Sequence, residues 1–459
     1  MKPHLLALSL MALGACAPMT EVARLQAVPP TASALTVYRP GTARSLPPSR
    51  PNAEMVRDFL ELGFAMESGR AIPAFSRFDG PVSIVTRGAV PATAIPDLDH
   101  LIARLRAEAG IDVRRTTDTA DSENRITVEF LPRRQMQSVV PAAACFVVPN
   151  VSTWQDFVAN RRSAAIDWTR VVTRTRAAVF IPDDTTPQEI RDCLHEEIGQ
   201  AFGPLNDLFR LSDSIFNDDN FQTTLTGFDM LLLRVWYAPE LQPGMTRDQV
   251  AARLPTLFNR LNPAGRGSAG TNAGITPRAW QLAVEQALSS DGGLNQRRAG
   301  AERALEMARA QGWTDTRYAL SLMLNARLAP RTQGENALDS LLDAASIYRR
   351  SPGGEVHAAH IDMHLAVQAL ATGQTQLALE LTAQAMPLAA RTENAAFLAS
   401  LGFIRAEALA QAGREDEAER LRLDSMPAAR YGFGSEDAAR ARMEEIARIG
   451  GAAQRLARL

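Results

Sequence analysis

Lysine is all but missing from this chain. Its one Lys is Lys2, so 48 of the 49 basic residues are Arg. Once the first residues are removed, chemistry through a lysine Schiff base is excluded. Cysteine is nearly as scarce, with three in 459 residues. No Cys-x-x-Cys pair, phosphate-binding Gly-rich loop or Ser-His-Asp order occurs. The formal charge is only −2 at pH 7 and no segment is strongly basic, which excludes nucleic acid as an expected partner. Apolar runs of membrane-spanning length are missing too.

What the N-terminus does have is a short export signal. Lys2 and His4 are followed by the apolar run 5–13 and then by Leu13-Gly14-Ala15-Cys16. A basic start, a short apolar core and small residues form a secretory signal. The last four residues resemble the lipobox of bacterial lipoproteins. That resemblance implies cleavage before Cys16 and acylation of its thiol. With Ala17 next rather than Asp, it also implies passage to the outer membrane, the protein facing the periplasm. An ordinary signal peptide with an incidental Cys is the alternative. Export leaves Cys145 and Cys193 in an oxidising compartment, where a pair is expected to be bridged. Two buried free thiols are the alternative.

The pattern divides the chain into a signal peptide (1–15), a lipidated Cys with a Pro-rich tether (16–51), an α+β domain (52–262), a Gly/Ala-rich linker (263–276) and a helical domain (277–459). Helices are predicted over 56–66 and 98–109. Strands are predicted over 81–86, 125–130, 145–148 and 177–181, with Ile126, Val128 and Phe130 on one face. Gly265-x-Gly267-x-x-Gly270 matches a dinucleotide fingerprint in letters only, because no strand precedes it. In the helical domain, residues 371–378 recur as 411–418: a helix ends, a Gly turn follows, and Ala378 or Ala418 sits where the next helix crosses. This resembles tetratricopeptide-like helix pairs with a longer period; a non-repetitive bundle is the alternative.

Thr186-Pro187-Gln188-Glu189 predicts a capping box with Pro in the first helical position, and Gly203-Pro204 a stop. At about 100° per residue, Ile190, Cys193, Leu194, Ile198 and Ala201 share a face, and Glu197 falls inside it. Glu196 and Gln200 share the adjoining flank, and His195 points nearly the other way. An acid on a buried face is costly unless it is bonded or functional.

The spacing from Glu196 to Asn206 resembles the metzincin zinc-peptidase motif H-E-x-x-H-x-x-G-x-x-H. Glu196, Gln200 and Asn206 stand in the three ligand places, while the general-base Glu (Glu197) and the turn glycine (Gly203) remain. Downstream, Asp213-Ser214-Ile215-Phe216-Asn217 resembles the Met-turn with Phe in the Met place, and Leu225-Thr226-Gly227-Phe228-Asp229 the helix that follows. Over roughly residues 70–262 the chain is also similar to a bacterial lipoprotein family carrying domain of unknown function 2927, through the motif helix, Ser214-Ile215-Phe216-Asn217-Asp218-Asp219 and Tyr237-Ala238-Pro239-Glu240-Leu241. The fold these resemblances imply is an α+β zincin-like domain followed by an all-α, tetratricopeptide-like domain.

Zinc favours imidazole and thiolate, so an oxygen-only set of Glu196, Gln200 and Asn206 disfavours it and suits calcium or magnesium better, if any metal. No cofactor is firmly implied. Asp213, Asn217, Asp218, Asp219 and Asn220 form an oxygen-rich stretch without EF-hand spacing, and its composition also suits turns. His357, His360 and His364 lie on one helical stripe and form a secondary metal candidate beside the reading as groove or surface histidines. The expected function is an envelope lipoprotein. It binds peptide, protein or cell-wall partners without zinc proteolysis, through the degenerate zincin-like domain and the helical repeats. The alternatives are an atypical hydrolase using Glu197 and a structural adaptor acting through the repeats alone. Cys16→Ala is expected to move the protein from the membrane to the soluble fraction or to block its processing, read by fractionation and intact mass.

Overall fold

The computed structural model describes residues 38, 45–48, 50–117, 123–141, 143–267, 270, 274–289, 292–330 and 334–457. The lipobox and Cys16 lie outside the described residues. Among these, no helix is long and apolar enough to cross a membrane. Two compact units are present, one made of the described residues up to 274 with residues 391–394, the other of the remainder from 275.

The first unit is α/β. Helix α1 (Asn52–Gly63) leads into a short strand β1 (Arg77–Phe78), then β2 (Val82–Gly88), α2 (Ala94–Arg104), β3 (Val113–Arg115) and β4 (Arg125–Leu131). Helix α3 (Arg133–Gln137), β5 (Phe146–Pro149), α4 (Trp154–Asn160), β6 (Thr173–Arg174), β7 (Arg176–Pro182) and the motif helix α5 (Pro187–Phe202) follow. Helices α6 (Gly227–Trp236), α7 (Arg247–Ala251) and α8 (Leu254–Leu261) complete it. The main sheet runs β3-β2-β4-β7-β5. Its first four strands are parallel, and β5 lies antiparallel at the edge, with Val147 opposite Val179.

Burial on both faces explains the apolar run of β7, and β4 is buried on both faces although its residues alternate, with Arg125 and Thr127 buried beside Ile126 and Val128. Ile126, Val128 and Phe130, with Ala177, Val179 and Ile181, face the larger core, where α2 brings Leu98, Leu101 and Leu105 and α5 brings Ile190, Leu194 and Ile198. The alternate residues Ala178 and Phe180 face a smaller core with Met136, Trp154 and Phe157. Each such large side chain contributes roughly 1.5–3 kcal/mol on burial.

Four boundaries depart from the expected ones, the first being α1, which spans Asn52–Gly63 rather than 56–66. Helix α2 starts at Ala94 and its last turn widens into a π turn, Leu105–Ala109, which Gly110 ends in the left-handed conformation at φ 72°. The tether stops before Arg50, which is 6% exposed and ion-paired with Asp58 and Asp213. The linker begins later than residue 263: Asn262 donates to Asn52 Oδ1, and a Cβ on Gly265 would lie 2.4 Å from that atom. In both cases chain that composition marks as flexible is packed against α1.

Among the described residues the second unit is all helical: α9 (Arg278–Leu288), α10 (Leu294–Ala310), α11 (Thr316–Leu328), α12 (Gly334–Arg350), α13 (Glu355–Ala371), α14 (Thr375–Arg391), α15 (Ala395–Gln411), α16 (Glu415–Phe433) and α17 (Glu436–Ala457). Both α13 and α15 have 17 residues, and each ends in a turn whose glycine, Gly373 or Gly413, has positive φ. Ala378 and Ala418 are fully buried at the start of the next helix. The period extends further than the turns: Pro387 lies inside α14 and Pro427 inside α16, each after a Met.

Cys145, just before β5, is disulfide-bonded to Cys193 on α5, across a sequence separation of 48. The bridge ties the antiparallel edge strand to the motif helix. In the chain-entropy picture a loop of this length contributes about 4 kcal/mol. Reduction, or Cys145→Ser with Cys193→Ser, is expected to lower the stability of this unit by about that amount. Urea unfolding with and without reductant measures it.

Candidate functional site

Helix α5 is fixed at both ends. At its start Thr186 Oγ1 accepts the Glu189 N–H at 3.1 Å, and Pro187 takes the first position. The expected capping box is only half formed. The Glu189 carboxylate bonds Thr185 and Arg133 instead of returning to the cap. At its end the buried Arg174 guanidinium donates from Nη1 to the Gln200 and Ala201 carbonyls, both at 2.7 Å, and from Nη2 to the Gly203 carbonyl at 2.6 Å. Its Nε donates to Ser76 Oγ at 3.1 Å, and the group lies 4.9 Å from the Trp168 ring centroid. Burial pulls the Arg174 pKa down to about 10, which leaves it charged at neutral pH.

The segment below α5 is held as firmly. The Phe216 ring packs against Gly199, where a Cβ would meet it at 2.8 Å. Asp229 accepts from Ser214 Oγ at 2.5 Å, from the Ile215 N–H at 3.1 Å and from the Thr226 N–H at 2.8 Å, closing a capping box on α6. Burial pushes Asp229 up to about 6. Helix α5 is enclosed on nearly all sides, so His195 is fully buried as well. The Leu225 N–H donates to its Nδ1 at 3.1 Å, and burial, then Arg191, Arg104 and His100, hold the ring neutral.

Three of the motif positions, Glu196, Glu197 and Gln200, lie on this helix and Asn206 lies just past its end, and other acids act on them. Glu197 is 5% exposed, and its Oε2 is buried without a hydrogen-bond partner. Burial, then Glu196 and Glu67, push its carboxyl well above the usual range. Burial, then Asp218, Glu67 and Asp192, push Glu196 up to about 8. Asn206 donates to the Glu61 carbonyl at 3.0 Å. Gln200 donates to Asp207 Oδ2 at 3.4 Å, a long contact, while Asp207 Oδ1 is buried without a partner. Asp207 is raised by burial, then by Glu67, Glu196 and Asp218, and its carboxyl also hydrogen-bonds that of Glu67.

Glu67, Asp207 and Asp218 are thus members of the site that motif spacing did not supply. Glu67 lies over a hundred residues upstream, in the turn at Gly69, and nothing in the motif points to it. Asp207 had one available signal, its adjacency to Asn206. The donor set does not fit zinc: it has no imidazole or thiolate, and the Gln200 and Asn206 amides already donate locally. Among the described residues no three His, Cys, Asp or Glu groups gather where an ion could be held.

The other two candidates are placed elsewhere. His360 stacks on Phe397 with ring centroids 3.8 Å apart, and His357 on Tyr348 at 4.6 Å. Burial, then Arg327 and Arg442, pull His364 down to about 3. The stripe packs inside the helical unit rather than lining a groove. In the Asp/Asn-rich stretch, Asp213 pairs with Arg50, Asn217 Oδ1 accepts the Asp219 N–H, and Asp219 Oδ1 accepts the Phe221 N–H. Asp218 and Asn220 adopt positive φ there, 56° and 60°. These oxygens build consecutive turns.

Residues 52–256 match the family described as protein of unknown function (DUF2927). No curated protein and no solved structure matches the chain.

The raised acids make stability depend on pH with a definite sign. Glu196 keeps its proton to about 8 in the folded chain, against an ordinary 4.5, so the folded state binds more protons between those values. Stability is full below about 4.5 and is lost as pH rises through 8. Glu197, shifted the same way, adds to the loss. The urea midpoint of the first unit is expected to fall from pH 5 to pH 8.5, and Glu197→Gln to flatten the fall. Pulse proteolysis with cleavage mapped to residues 52–262 reads both.

Proposed function

We propose that this chain is an exported, lipid-anchored envelope protein whose α/β unit keeps the frame of a zincin peptidase but binds its ligand without zinc hydrolysis. The helical unit is a tetratricopeptide-like module for a peptide or protein partner. The observation that carries the reading is the state of the three ligand places. Glu196, Gln200 and Asn206 offer no soft or nitrogen donor, and both amides are turned to local acceptors. The frame argues for the ancestry. A sheet of parallel strands with one antiparallel strand at its edge leads into the motif helix, as in zincins, and Phe216 sits under that helix where those enzymes carry methionine. For the helical unit, the support is the recurrence of equal helices, glycine turns and internal prolines.

The purified full chain is expected to carry far less than one zinc per molecule, to show no chelator-sensitive peptide cleavage, and to retain peptides. Glu196→His, Gln200→His and Asn206→His together are expected to raise zinc affinity, since they restore imidazoles to a zincin frame. Stoichiometric zinc in the native protein, with cleavage abolished by chelator and by Glu197→Gln, overturns the binding reading and establishes the hydrolase.

A further inference from the structure

We propose that the acidic centre beside α5 is a binding site for an organic cation, the ammonium of a lysine or the guanidinium of an arginine in a peptide or protein ligand. Glu197 and Asp207 form its floor and Glu67, Glu196 and Asp218 its rim. The inference deepens the binding function proposed above and rests on it.

The first support is depth. Glu67 and Asp218 are exposed, Glu196 and Asp207 are half-buried, and Glu197 is 5% exposed. The acids therefore run from solvent into the interior. The second is unmet hydrogen bonding. Glu197 Oε2 is buried without a partner, and a buried acceptor left unsatisfied is costly. The third is the sign of the surroundings. The charged groups that act on Glu197 are Glu196 and Glu67, and those on Asp207 are Glu67, Glu196 and Asp218, all of them acids. Three buried arginines of this unit are committed to other groups: Arg210 to Asp58 and Glu61, Arg50 to Asp58 and Asp213, and Arg174 to the carbonyls that end α5.

The class of cation follows from spread. A calcium or magnesium ion draws its oxygens to about 2.0–2.6 Å from one point, and no three acids of the described residues converge in that way. An ammonium holds its oxygens farther out, at about 2.8 Å, and a guanidinium spreads five N–H groups over three nitrogens and so reaches separated oxygens. The chain's single lysine is Lys2, so a lysine arriving here comes from another molecule. The retained Glu197 then acts as the acceptor of that group rather than as the base of a hydrolysis.

The test is selection of short random peptides on the full chain purified in detergent, with the bound fraction sequenced. Lys or Arg is expected to be enriched at one position by about five-fold or more. The enrichment is expected to disappear with Glu197→Gln and to weaken with Glu67→Gln. The Glu67 side chain is exposed, so its variant decides the matter if Glu197→Gln fails to fold. Peptides retained with no such enrichment, or with enrichment unchanged in both variants, overturn the cation site and leave the peptide-binding reading standing. Retention of no peptide overturns both. Stoichiometric binding of calcium alone that expels the bound peptides overturns the organic cation in favour of a metal.

Discussion

The Arg174 guanidinium carries the end of helix α5, and the site depends on where that helix ends. The last carbonyls of any helix lack partners within it. Here those of Gln200, Ala201 and Gly203 receive three hydrogen bonds from one buried cation. The positive charge also meets the negative end of the helix dipole, which explains how an arginine is buried with no carboxylate beside it. From the helix stop the chain passes directly to Asn206 and Asp207. Loss of Arg174 would therefore leave buried carbonyls unsatisfied and also move the residues that close the acidic centre.

Around this anchor the unit uses buried polar groups in two different ways. In one, every group is answered: Arg50, Asp58, Arg210, Glu61 and Asp213 form a continuous ion-pair network, and Asp229 accepts three short bonds from the segment under α5. These contacts fix the unit's first helix, the turn bearing Phe216 and helix α6 to one another. In the other, at Glu196, Glu197 and Asp207, like-charged groups act on one another and the buried Glu197 Oε2 is unanswered. Burial of unpaired acids is costly, and protonation lowers the cost without removing it. A cationic ligand would remove it.

The positions of Glu196, Gln200 and Asn206 follow from the helix and its stop. The spacing of the motif puts Glu196, Gln200 and Asn206 at the helix and its exit whatever they bind, because the helix repeat and the stop at Gly203 set their positions. Oxygen donors and amides at those positions give the site an acidic chemistry without altering the backbone geometry. Phe216 fills the space beneath Gly199 with a large apolar ring, which supports the helix without any need for a metal above it.

Much of this was legible in the residues alone. The start and stop of α5 were given by Thr186, Pro187 and Gly203, since capping and glycine termination are local effects. The strand over 177–181 was visible because burial on both faces of a parallel sheet leaves an apolar run; that over 125–130 was visible from its alternation, which suggested one buried face where the sheet buries both. The repeat turns at Gly373 and Gly413 were visible because each requires a left-handed residue. Only the tertiary structure decided the membership of the acidic centre, since Glu67 and Glu197 are brought together by packing across the fold and share no period. The same holds for Arg174, which reads in sequence as one arginine among 48. Its role exists only because β6 passes the end of a helix that comes later in the chain. The histidine stripe makes the point from the other side. Its spacing permitted a metal site, but the aromatic neighbours that instead stack on His357 and His360 come from other helices, and no local pattern records them.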